Sequence, residues 1–565
     1  WLMVQALPYV GSADEHNAIS LVSAYYANML GQSIINSNPK IRQTIDEWRN
    51  ENANANVNTK SLLSSLEKNQ ELKTLVLGET PWVLDAQQET RQKQDLIKFF
   101  DKNLMDKRIS STLDFLKKLQ NSDGSWSWWN GMRGSIYMTT SVSQTLVRLN
   151  TMLGEQQETK SMLKSAFKFM KKEIAKEVTE LKKLEKKGYK DLRPSETAVN
   201  YLYLCALDGR DLGTSAKADI AYLVKLLSKK TTELTIYGKA NSAVILAHHG
   251  YTKKAQEYLQ SMKEYSVYTE EMGRYYDTRR AYYSWFDYRI PTEVAAIEAL
   301  RLVSPDDKQT VEEMQRWLLQ EKRTTAWNTP VNSVNAIYAF FGKDGVQKMA
   351  EHTGKATITL DGEPMEMSQT TAGLGYLRSV RDIDQTVGQP PSSNPHHPAS
   401  ITFEKNDTDT SWGAVYAQFL QTVTEIDDQT SGITVTREIL PTQQSSVLSS
   451  VTSHTSSLKV GDRVKVRITI KADRDYDFVQ VVDKRAACME PVGQLSGYHW
   501  GYYCAPKDCS TNYYFDRMAK GKHVVETEYY IDREGDYQQG TCTVQCAYAP
   551  EYYGRTKGMK VKVER

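Results

Sequence analysis

The stretch "LQNSDGSWSWW", residues 119–129, decides the fold of the first half of this chain. Apolar residues recur at helical spacing in the segment that leads into it, at Ile109, Leu113, Leu116 and Leu119. Gln120, Gly124 and Trp126 then follow at the spacing Q-x3-G-x-W. This pattern indicates a helix that ends in a glycine turn, after which a tryptophan packs back onto it. The stretch therefore predicts a helical hairpin.

A second stretch repeats this pattern more loosely. "LQEKRTTAWNTPVNSVNAIYAFF", residues 319–341, carries Gln320 and Trp327 before another helical segment. Helix pairs that recur every ~50 residues indicate stacked or closed arrays of helical hairpins. Because the Q-x3-G-x-W signature resembles that of the terpenoid-cyclase-type toroids, we expect residues 1–345 to form a closed α/α toroid rather than an open solenoid.

Beyond residue 350 the period of the sequence changes from helical to alternating. We expect residues 346–430 to be rich in β-strands and to contain a Pro- and Ser-rich loop at 387–400. In 431–565 apolar residues alternate with polar ones, as in the series Val464, Val466, Ile468 and Ile470. Such alternation is typical of an antiparallel sheet with one solvated face, and it predicts a C-terminal β-sandwich. The expected fold class is thus multidomain, α/α toroid followed by all-β segments.

The charges are nearly balanced, with 71 Lys and Arg against 69 Asp and Glu. A nucleic-acid-binding protein would show a basic excess, so we expect no nucleic-acid partner. No stretch of 18 apolar residues occurs, and none of the sequence therefore predicts a membrane span. The chain opens on Trp-Leu-Met-Val, which we interpret as an excised piece or a mature product that lacks any targeting signal.

Five of the six cysteines lie in the C-terminal region. Cys504 and Cys509 flank a short loop and are a candidate disulfide, which would favour an oxidising compartment. Cys542 and Cys546 lie on one face of a predicted strand, too far apart to pair without a bulge. Their spacings do not match common zinc sites. The adjacent His396 and His397 lie among prolines without a third ligand, so we predict no metal and no cofactor.

The sequence contains no catalytic motif that we recognise. H-E-x-x-H, the P-loop and G-x-S-x-G are absent. The aromatic stretch "YYDTRRAYYSWFDYRIPTEVAAIEAL", residues 275–300, is compatible with a sugar- or peptide-binding groove, although packing in the hub of a toroid explains it better. The cluster Trp126, Trp128 and Trp129, together with the Q-x3-G-x-W signature, is the observation that favours a toroid enzyme as an alternative. We therefore nominate no catalytic residue.

Several segments together resemble the C-terminal part of the bacterial alpha-2-macroglobulin family. "WLMVQALPYV" and "AYYAN" resemble the entry to its thioester domain, and "ETPWVLDAQQETRQKQ", "SDGSWSWWNGMRGS" and "FDYRIPTEVAAIEAL" resemble the body of that domain. "TDTSWGAVYAQF" resembles the short β-rich segment that follows. "LKVGDRVKVRITIKADRDYDFVQVVDKRAACMEPV", "TNYYFD" and "QCAYAPEYYGRTKGMKVKV" resemble the receptor-binding-like macroglobulin domain at the C-terminus.

The resemblance implies a protein that traps proteases. In this family a bait segment is cut, the molecule rearranges, and a reactive thioester couples to the attacking protease. It implies a bait region upstream of residue 1, proteases as partners, and a periplasmic or cell-envelope location, with other envelope or host proteins as further partners.

One departure from the family lies in "GSADEHNAIS", residues 11–20. The family's thioester motif C-x-E-Q falls here on Ala13, Asp14, Glu15 and His16, and the first cysteine of the chain is Cys205. Without a thiol no internal thioester forms in this segment. The pair Ser12 and Glu15 instead has the spacing of a capping box, which predicts a helix cap.

The leading hypothesis is therefore a non-enzymatic, alpha-2-macroglobulin-like protease trap or envelope defence module without a thioester. The alternatives are an α/α-toroid enzyme acting on a polysaccharide or isoprenoid, and a surface adhesion or scaffold module built on the Tyr-rich sandwich. An acidic or His-rich pocket at the centre of the toroid would favour the enzyme, and an apolar hub without carboxylates would eliminate it.

Overall fold

A computed structural model describes residues 2–13, 15–53, 94–229, 234–269, 272–276, 289–322, 326–327, 329–343, 345–346, 356–360, 362–365, 400–406, 426–442, 458–547 and 552–565. The chain divides into two compact units. Of the described residues, those up to 406 belong to the first unit and those from 426 onwards to the second. Each unit is treated below by itself.

The first unit is built mainly from helices. In chain order they are α1 (Leu2–Gly11), α2 (Ala18–Ser37), α3 (Pro39–Ala53), α4 (Lys102–Leu119), α5 (Ile136–Leu153), α6 (Gln157–Lys186), α7 (Glu196–Asp208), α8 (Thr214–Leu227), α9 (Ile236–His248), α10 (Thr252–Lys263), α11 (Arg289–Val303), α12 (Lys308–Glu321) and α13 (Pro330–Phe341). A short hairpin of β1 (Val267–Thr269) and β2 (Gly273–Tyr275) precedes α11.

Side-chain caps fix where several of these helices begin. Asp101, Ser135, Ser195 and Thr235 each precede a helix and accept a hydrogen bond from the backbone N–H three residues later. Such caps satisfy amides that the first helical turn leaves without a partner. The helix starts therefore follow from local sequence, whereas the partners of each helix do not.

The helices close into a ring. Each of α2, α5, α7, α9 and α11 packs against the next in this order, α11 packs against α13, and α13 returns to α2. The helices between them in the chain lie outside, for example α4 against α2 and α6 against α5. An open solenoid would leave its first and last hairpins apart. The contact between α13 and α2 thus closes the array on itself.

The centre of this ring contains a buried ion pair. Arg148 on α5 and Glu298 on α11 lie 3.2 Å apart, with their side chains only 3% and 8% exposed. Tyr203 on α7 and Tyr338 on α13 both donate their hydroxyls to Glu298, the latter at 2.7 Å. Arg148 also donates to the side-chain oxygen of Asn335 on α13 at 2.6 Å. This hub network connects four of the six inner helices.

The tyrosines of the hub network stay protonated. Burial raises the pKa of Tyr203 and of Tyr338 well above the ordinary value, so both phenols keep the protons that they donate. The guanidinium of Arg148 lies 4.6 Å from the centre of the Tyr338 ring. A buried charge is tolerated only when it is paired and hydrogen-bonded, and here both members of the pair satisfy that condition.

The second unit is built from β-strands. They are β6 (Gln429–Ser431), β7 (Ile433–Pro441), β8 (Leu458–Lys459), β9 (Arg463–Ala472), β10 (Tyr476–Lys484), β11 (Met489–Pro491), β12 (Gly497–His499), β13 (Tyr502–Pro506), β14 (Ser510–Met518), β15 (Gly521–Ile531), β16 (Gly535–Gln539), β17 (Cys542–Cys546), β18 (Tyr553–Arg555) and β19 (Met559–Glu564). The main sheet has the order β11-β15-β9-β7-β6-β18-β17-β10-β14-β13-β12, and β16-β19-β8 form a smaller one.

Apolar residues from both halves of the main sheet form one core. The predicted apolar face of β9 is confirmed, since Val464, Val466, Ile468 and Ile470 are all at most 1% exposed. A buried ion pair lies within this unit, where Arg437 on β7 contacts Asp483 on β10 at 2.9 Å. Burial raises the pKa of Asp483, and Arg437 opposes that shift.

The segment between the helices and the main sheet is described only in part. Strands β3 (Ala356–Leu360), β4 (Glu363–Pro364) and β5 (Ile401–Lys405) form a small antiparallel sheet that belongs to the first unit. The predicted loop at 387–400, with His396 and His397, lies outside the described residues except for Ser400. The three-domain division with boundaries after residues 345 and 430 stays a prediction.

The predicted order of a helical region followed by antiparallel sheets is confirmed. The α/α toroid is a particular winding of such a ring, and it stays a prediction. Among the described residues, no helix is both long enough and apolar enough to cross a lipid bilayer.

Replacing Arg148 by Met should lower the free energy of unfolding by about 3–5 kcal/mol, because Glu298 is left buried without a counter-charge. Urea unfolding followed by circular dichroism measures the change. Lys183→Met is the matched control, since its ion pair with Glu180 lies at the surface and should matter little. Equal losses in the two variants would contradict the hub role.

Candidate functional site

The candidate site is the loop of residues 12–17 between α1 and α2, onto which the thioester motif falls. Ser12 is exposed, and its hydroxyl donates to the carbonyl oxygen of Tyr9 at 3.4 Å. Ala13 is half-buried and packs against the helical core, while Asp14 lies outside the described residues. Glu15 and His16 are exposed. None of these residues provides a thiol.

The helix cap predicted at Ser12 and Glu15 is wrong. Helix α1 extends to Gly11, and α2 starts only at Ala18 with Asn17 as its cap, whose Oδ1 accepts from the Ser20 amide at 2.9 Å. Asn is as good a cap as Ser, and only Asn17 directly precedes the helical turn. Glu15 accepts instead from Nδ2 of Asn17 at 2.9 Å, so it orients the cap rather than forming it.

The remaining residue of the motif, His16, lies against a neighbouring helix. Its ring stacks on that of Phe115 on α4, with the two centroids 4.3 Å apart. Phe115 also carries the ammonium of Lys118 over its ring at 5.2 Å. His16 thus contacts an aromatic ring, and no carboxylate or nucleophile is among its contacts with the described residues.

The loop that contains the Q-x3-G-x-W signature lies beside this site. The amide of Ala18, the first residue of α2, donates to the carbonyl oxygen of Trp128 at 3.1 Å. The predicted tryptophan cluster is divided between core and surface, because Trp126 is fully buried and Trp129 is 42% exposed. Trp128 is partly buried against the core. The three rings therefore do not form one exposed groove.

The signature residues connect three helices. Gln120 donates to the carbonyl oxygens of Gly124, at 3.1 Å, and of Met162 on α6, at 2.9 Å. The indole of Trp126 donates to the Leu116 carbonyl on α4, and its amide donates to the hydroxyl of Thr139 on α5. The structure thus brings Gln120, Gly124 and Trp126 together at a structural junction of α4, α5 and α6.

The second, looser pattern, at Gln320 and Trp327, makes hydrogen bonds equivalent to those of Trp126. The indole of Trp327 donates to the carbonyl oxygen of Leu318 on α12 at 2.9 Å, and its amide donates to the hydroxyl of Ser333 on α13. Trp327 is 1% exposed. The two tryptophans therefore occupy equivalent positions in two hairpins of the ring.

Glycine is required at position 124 for two reasons. Its φ is +91°, where side chains are disfavoured, and an added Cβ would lie 2.2 Å from the carbonyl oxygen of Ser165 on α6. Gly154, with φ +85°, has no atom within 4 Å of such a Cβ. Comparing Gly124 with Gly154 therefore distinguishes the cost of the positive φ from the cost of the close approach of α6.

The hub of the ring does not form an acidic pocket. Glu298 is the carboxylate of the hub network, and both of its oxygens accept hydrogen bonds there. The hub is also not free of carboxylates, so neither of the two predicted outcomes occurs. Glu298 already accepts hydrogen bonds from Arg148, Tyr203 and Tyr338, so its carboxylate holds the hub network together.

A second buried carboxylate lies between α11 and α12. Glu293 is 1% exposed, and its Oε1 has no hydrogen-bond partner in the described part of the chain. Burial, with a smaller contribution from Glu321, raises its pKa well above the ordinary value. The hydroxyl of the buried Tyr276 likewise has no partner there. Burial therefore favours the neutral form of Glu293, which lies on α11 and is not part of the loop at 12–17.

The predicted disulfide between Cys504 and Cys509 is not formed, and both cysteines are free. In the hairpin of β13 and β14, Cys504 pairs with Tyr513 and points into the core, whereas Cys509 lies exposed in the turn. Burial raises the pKa of Cys504 to about 11 and that of Cys205 to about 12, so neither thiol is reactive at neutral pH. No group of three potential metal ligands occurs among the described side chains.

Three residues of structural importance were missed by sequence reasoning: Asn17, Arg148 and Glu298. Asn17 directly precedes an apolar helical run, which is the signal of a cap. Arg148 is the single charge within the apolar segment "TLVRLNTML", and Glu298 is the single charge within "VAAIEAL". A charge at such a position indicates a buried partner, although it does not identify that partner.

Replacing Asn17 by Ala should lower the free energy of unfolding by about 0.5–2 kcal/mol, because the amide of Ser20 loses its acceptor. Ser12→Ala is the control and should leave stability nearly unchanged, since Ser12 bonds only weakly outside α2. Thermal unfolding of both variants measures the difference. If Ser12→Ala cost as much as Asn17→Ala, the original cap prediction would stand.

Replacing Gly124 by Ala should cost clearly more than Gly154→Ala. The positive φ costs about 1–2 kcal/mol in either variant, and only Gly124→Ala adds the clash with the Ser165 carbonyl. Chemical denaturation measures both losses. Similar losses would show that α6 moves away without cost.

Replacing Glu293 by Gln should stabilise the protein at pH 7 and leave its stability unchanged near pH 4. The raised folded pKa means that the stability due to Glu293 is fully present below its unfolded pKa, about 4.3. That stability is lost as the pH rises towards the folded pKa. Urea titrations between pH 4 and 8 test this, with the exposed Glu312→Gln as a control that should show no such trend.

Comparison with known proteins identifies the second unit. Residues 432–551 match the family model of the "Bacterial Alpha-2-macroglobulin MG10 domain". No curated protein matches the chain.

Three solved structures that match this chain are each only 12% identical to it in sequence. Trypsin-activated alpha-2-macroglobulin from Escherichia coli is 12% identical over 81% of this chain and 30% of that chain, with a TM-score of 0.38. The native E. coli protein from domain MG7 to the C-terminus is 12% identical over 82% of this chain and 68% of that chain, at 0.28. Salmonella alpha-2-macroglobulin reacted with methylamine is 12% identical over 99% and 30%, at 0.30.

The chain thus spans less than a third of the length of the first of these proteins. TM-scores this low carry no argument by themselves. The match over 432–551 covers strands β7 to β17, which contain the predicted macroglobulin pattern. Residues 432–551 are therefore similar to the MG10 domain of bacterial alpha-2-macroglobulins, and the resemblance predicted for the C-terminal part of the chain is confirmed over these residues.

Proposed function

We propose that this chain is part of an alpha-2-macroglobulin-like protein that restrains proteases without a covalent bond. The observation that carries the proposal is the combination of an MG10 domain at 432–551 with the absence of any cysteine before Cys205. A thioester needs a thiol, and the segment that resembles the thioester domain contains none. Retention of a protease would then depend on shape and contacts alone.

The geometry of the loop at 12–17 supports this proposal. Its side chains stabilise the start of α2 and contact α4, through Asn17 and His16 respectively. Glu15 holds Asn17 rather than facing a reacting group. A loop that retained acyl chemistry would have to position a nucleophile and an acceptor close together. The degenerate thioester position at Ala13 to His16 is proposed on the same grounds.

The remaining steps rest on the family. A bait region upstream of Trp1 would be cut, and the rearranged molecule would enclose the protease. A periplasmic or cell-envelope location, with proteases as the main partners, belongs to the same proposal. An enzymatic function is less well supported, because the hub carboxylate Glu298 already accepts hydrogen bonds from Arg148, Tyr203 and Tyr338.

The proposal predicts that the full-length parent protein, incubated with trypsin or elastase, is cleaved and retains the protease without forming an adduct. Retention should appear as co-elution on size exclusion, and denaturing electrophoresis should separate the two proteins completely. Methylamine treatment should leave both the mass of the protein and its retention of protease unchanged, since there is no thioester to open.

A conjugate that survives denaturation and disappears after methylamine treatment would contradict the absence of a thioester. Cleavage without any retention would contradict trapping itself. The variant Cys509→Ser separates these cases from accidental disulfide capture, because it removes the exposed thiol in the turn between β13 and β14. Its behaviour should equal that of the wild type.

A further inference from the structure

The segment between β11 and β14 of the MG10 domain, residues 491–506, carries no formal charge; we call it the excursion. From Pro491 to Pro506 the sequence "PVGQLSGYHWGYYCAP" contains no Asp, Glu, Lys or Arg, although a quarter of the chain consists of these residues. Glu490 precedes the segment and Lys507 follows it. A surface segment of this length without charge is adapted to surroundings other than bulk water.

The apolar side chains of this excursion are strongly exposed. Trp500 is 100% exposed, Leu495 92%, Tyr498 63% and Val492 40%. Soluble proteins rarely present so many large apolar side chains together. The exposure therefore indicates an occupant that covers them.

The backbone of the excursion is held in a fixed shape. β12 pairs with β13 through Tyr498–Tyr503 and His499–Tyr502, and Gly501 forms the turn with φ +87°. β12 is the last strand of the main sheet, so the hairpin forms its edge. Strands β12 and β13 thus pair the backbone groups that face each other, which lowers the cost of moving these groups out of water.

Aromatic contacts attach the hairpin to the core. The rings of His499 and Tyr502 stack at 5.2 Å, and Tyr502 in turn contacts Tyr513 and Phe515. On the other side Tyr498 contacts Tyr503 edge-on at 5.0 Å. Trp500 at the tip therefore stands on a rigid support with its ring in solvent.

We propose that this hairpin, with the connection that leads into it, inserts into the interfacial region of a lipid bilayer. Trp and Tyr have an apolar ring with a polar edge and are favoured at the boundary between lipid headgroups and acyl chains. A side chain with a formal charge would resist leaving bulk water, and this segment contains none. An uncharged segment with exposed Trp, Tyr and Leu side chains therefore fits shallow insertion at this boundary.

This mode of binding makes no use of basic residues. The segment contains no Lys or Arg, so anionic headgroups should not strengthen its attachment and salt should not weaken it. The proposal does not depend on protease trapping, because it concerns only the exposed tip of the MG10 domain.

The test is co-sedimentation of the complete chain with phosphatidylcholine vesicles at low and high salt. We expect binding to neutral vesicles that salt does not reduce, and no gain when phosphatidylglycerol is added. The double variant Trp500→Ser with Leu495→Ser should bind at least roughly tenfold more weakly, because two apolar side chains are lost from the contact.

The matched control is Tyr189→Ser with Leu302→Ser, which removes an aromatic residue and a leucine that are 61% and 55% exposed elsewhere. It should bind vesicles as the wild type does. Bromine-labelled acyl chains provide a second measurement, since they should quench part of the wild-type tryptophan fluorescence, and this quenching should be absent in Trp500→Phe.

Three outcomes would overturn the proposal. These are failure of the wild type to bind neutral vesicles, binding that needs anionic lipid and disappears in salt, and equal loss of binding in both double variants. Self-association of the wild type that only Trp500→Ser with Leu495→Ser abolishes, without vesicle binding, would assign the hairpin to contacts between copies of the chain.

Discussion

The buried pair of Arg148 and Glu298 is the constraint on which the helical ring depends. Two charges removed from water must find each other, and in this ring they come from helices that are far apart in the sequence. Tyr203 and Tyr338 complete the coordination of Glu298. Apolar packing alone would permit many relative positions of these helices. The requirement to satisfy every group of the hub network selects one of them.

Two of the hairpins around this hub share one arrangement of hydrogen bonds at the turn between an outer and an inner helix. After α4 and again after α12 a tryptophan returns to the helix that it follows and donates its indole N–H to a late carbonyl of that helix. The same tryptophan donates its amide to a hydroxyl on the next inner helix. One residue thereby satisfies a helix end and fixes the angle between two helices. At the first of these turns α6 approaches so closely that only glycine fits at position 124.

The contacts of the loop at 12–17 within this ring are structural rather than catalytic. It lies beside the first of these turns, joined to it by the bond from Ala18 to Trp128. Its polar residues stabilise a helix start, and its histidine packs on an aromatic ring. In the proposed function the loop retains the position of a reactive site and performs a structural role. The MG10 domain meanwhile presents an uncharged aromatic hairpin, which offers the chain a contact independent of any covalent chemistry.

The sequence by itself determined the order of helices and strands, the alternating faces of the sandwich, and the absence of a thiol at residues 13–16. These features depend on residues close together in the chain: periodicity, turn residues and a single missing cysteine. The tertiary structure decided the rest. Asn17 replaced Ser12 as the cap because α1 extends to Gly11, and Cys504 points into the core away from Cys509 because the register of β13 and β14 places it there. The partnership of Arg148 with Glu298 spans 150 residues. Local sequence shows that such a charge needs a partner, but only the folded chain brings the two together.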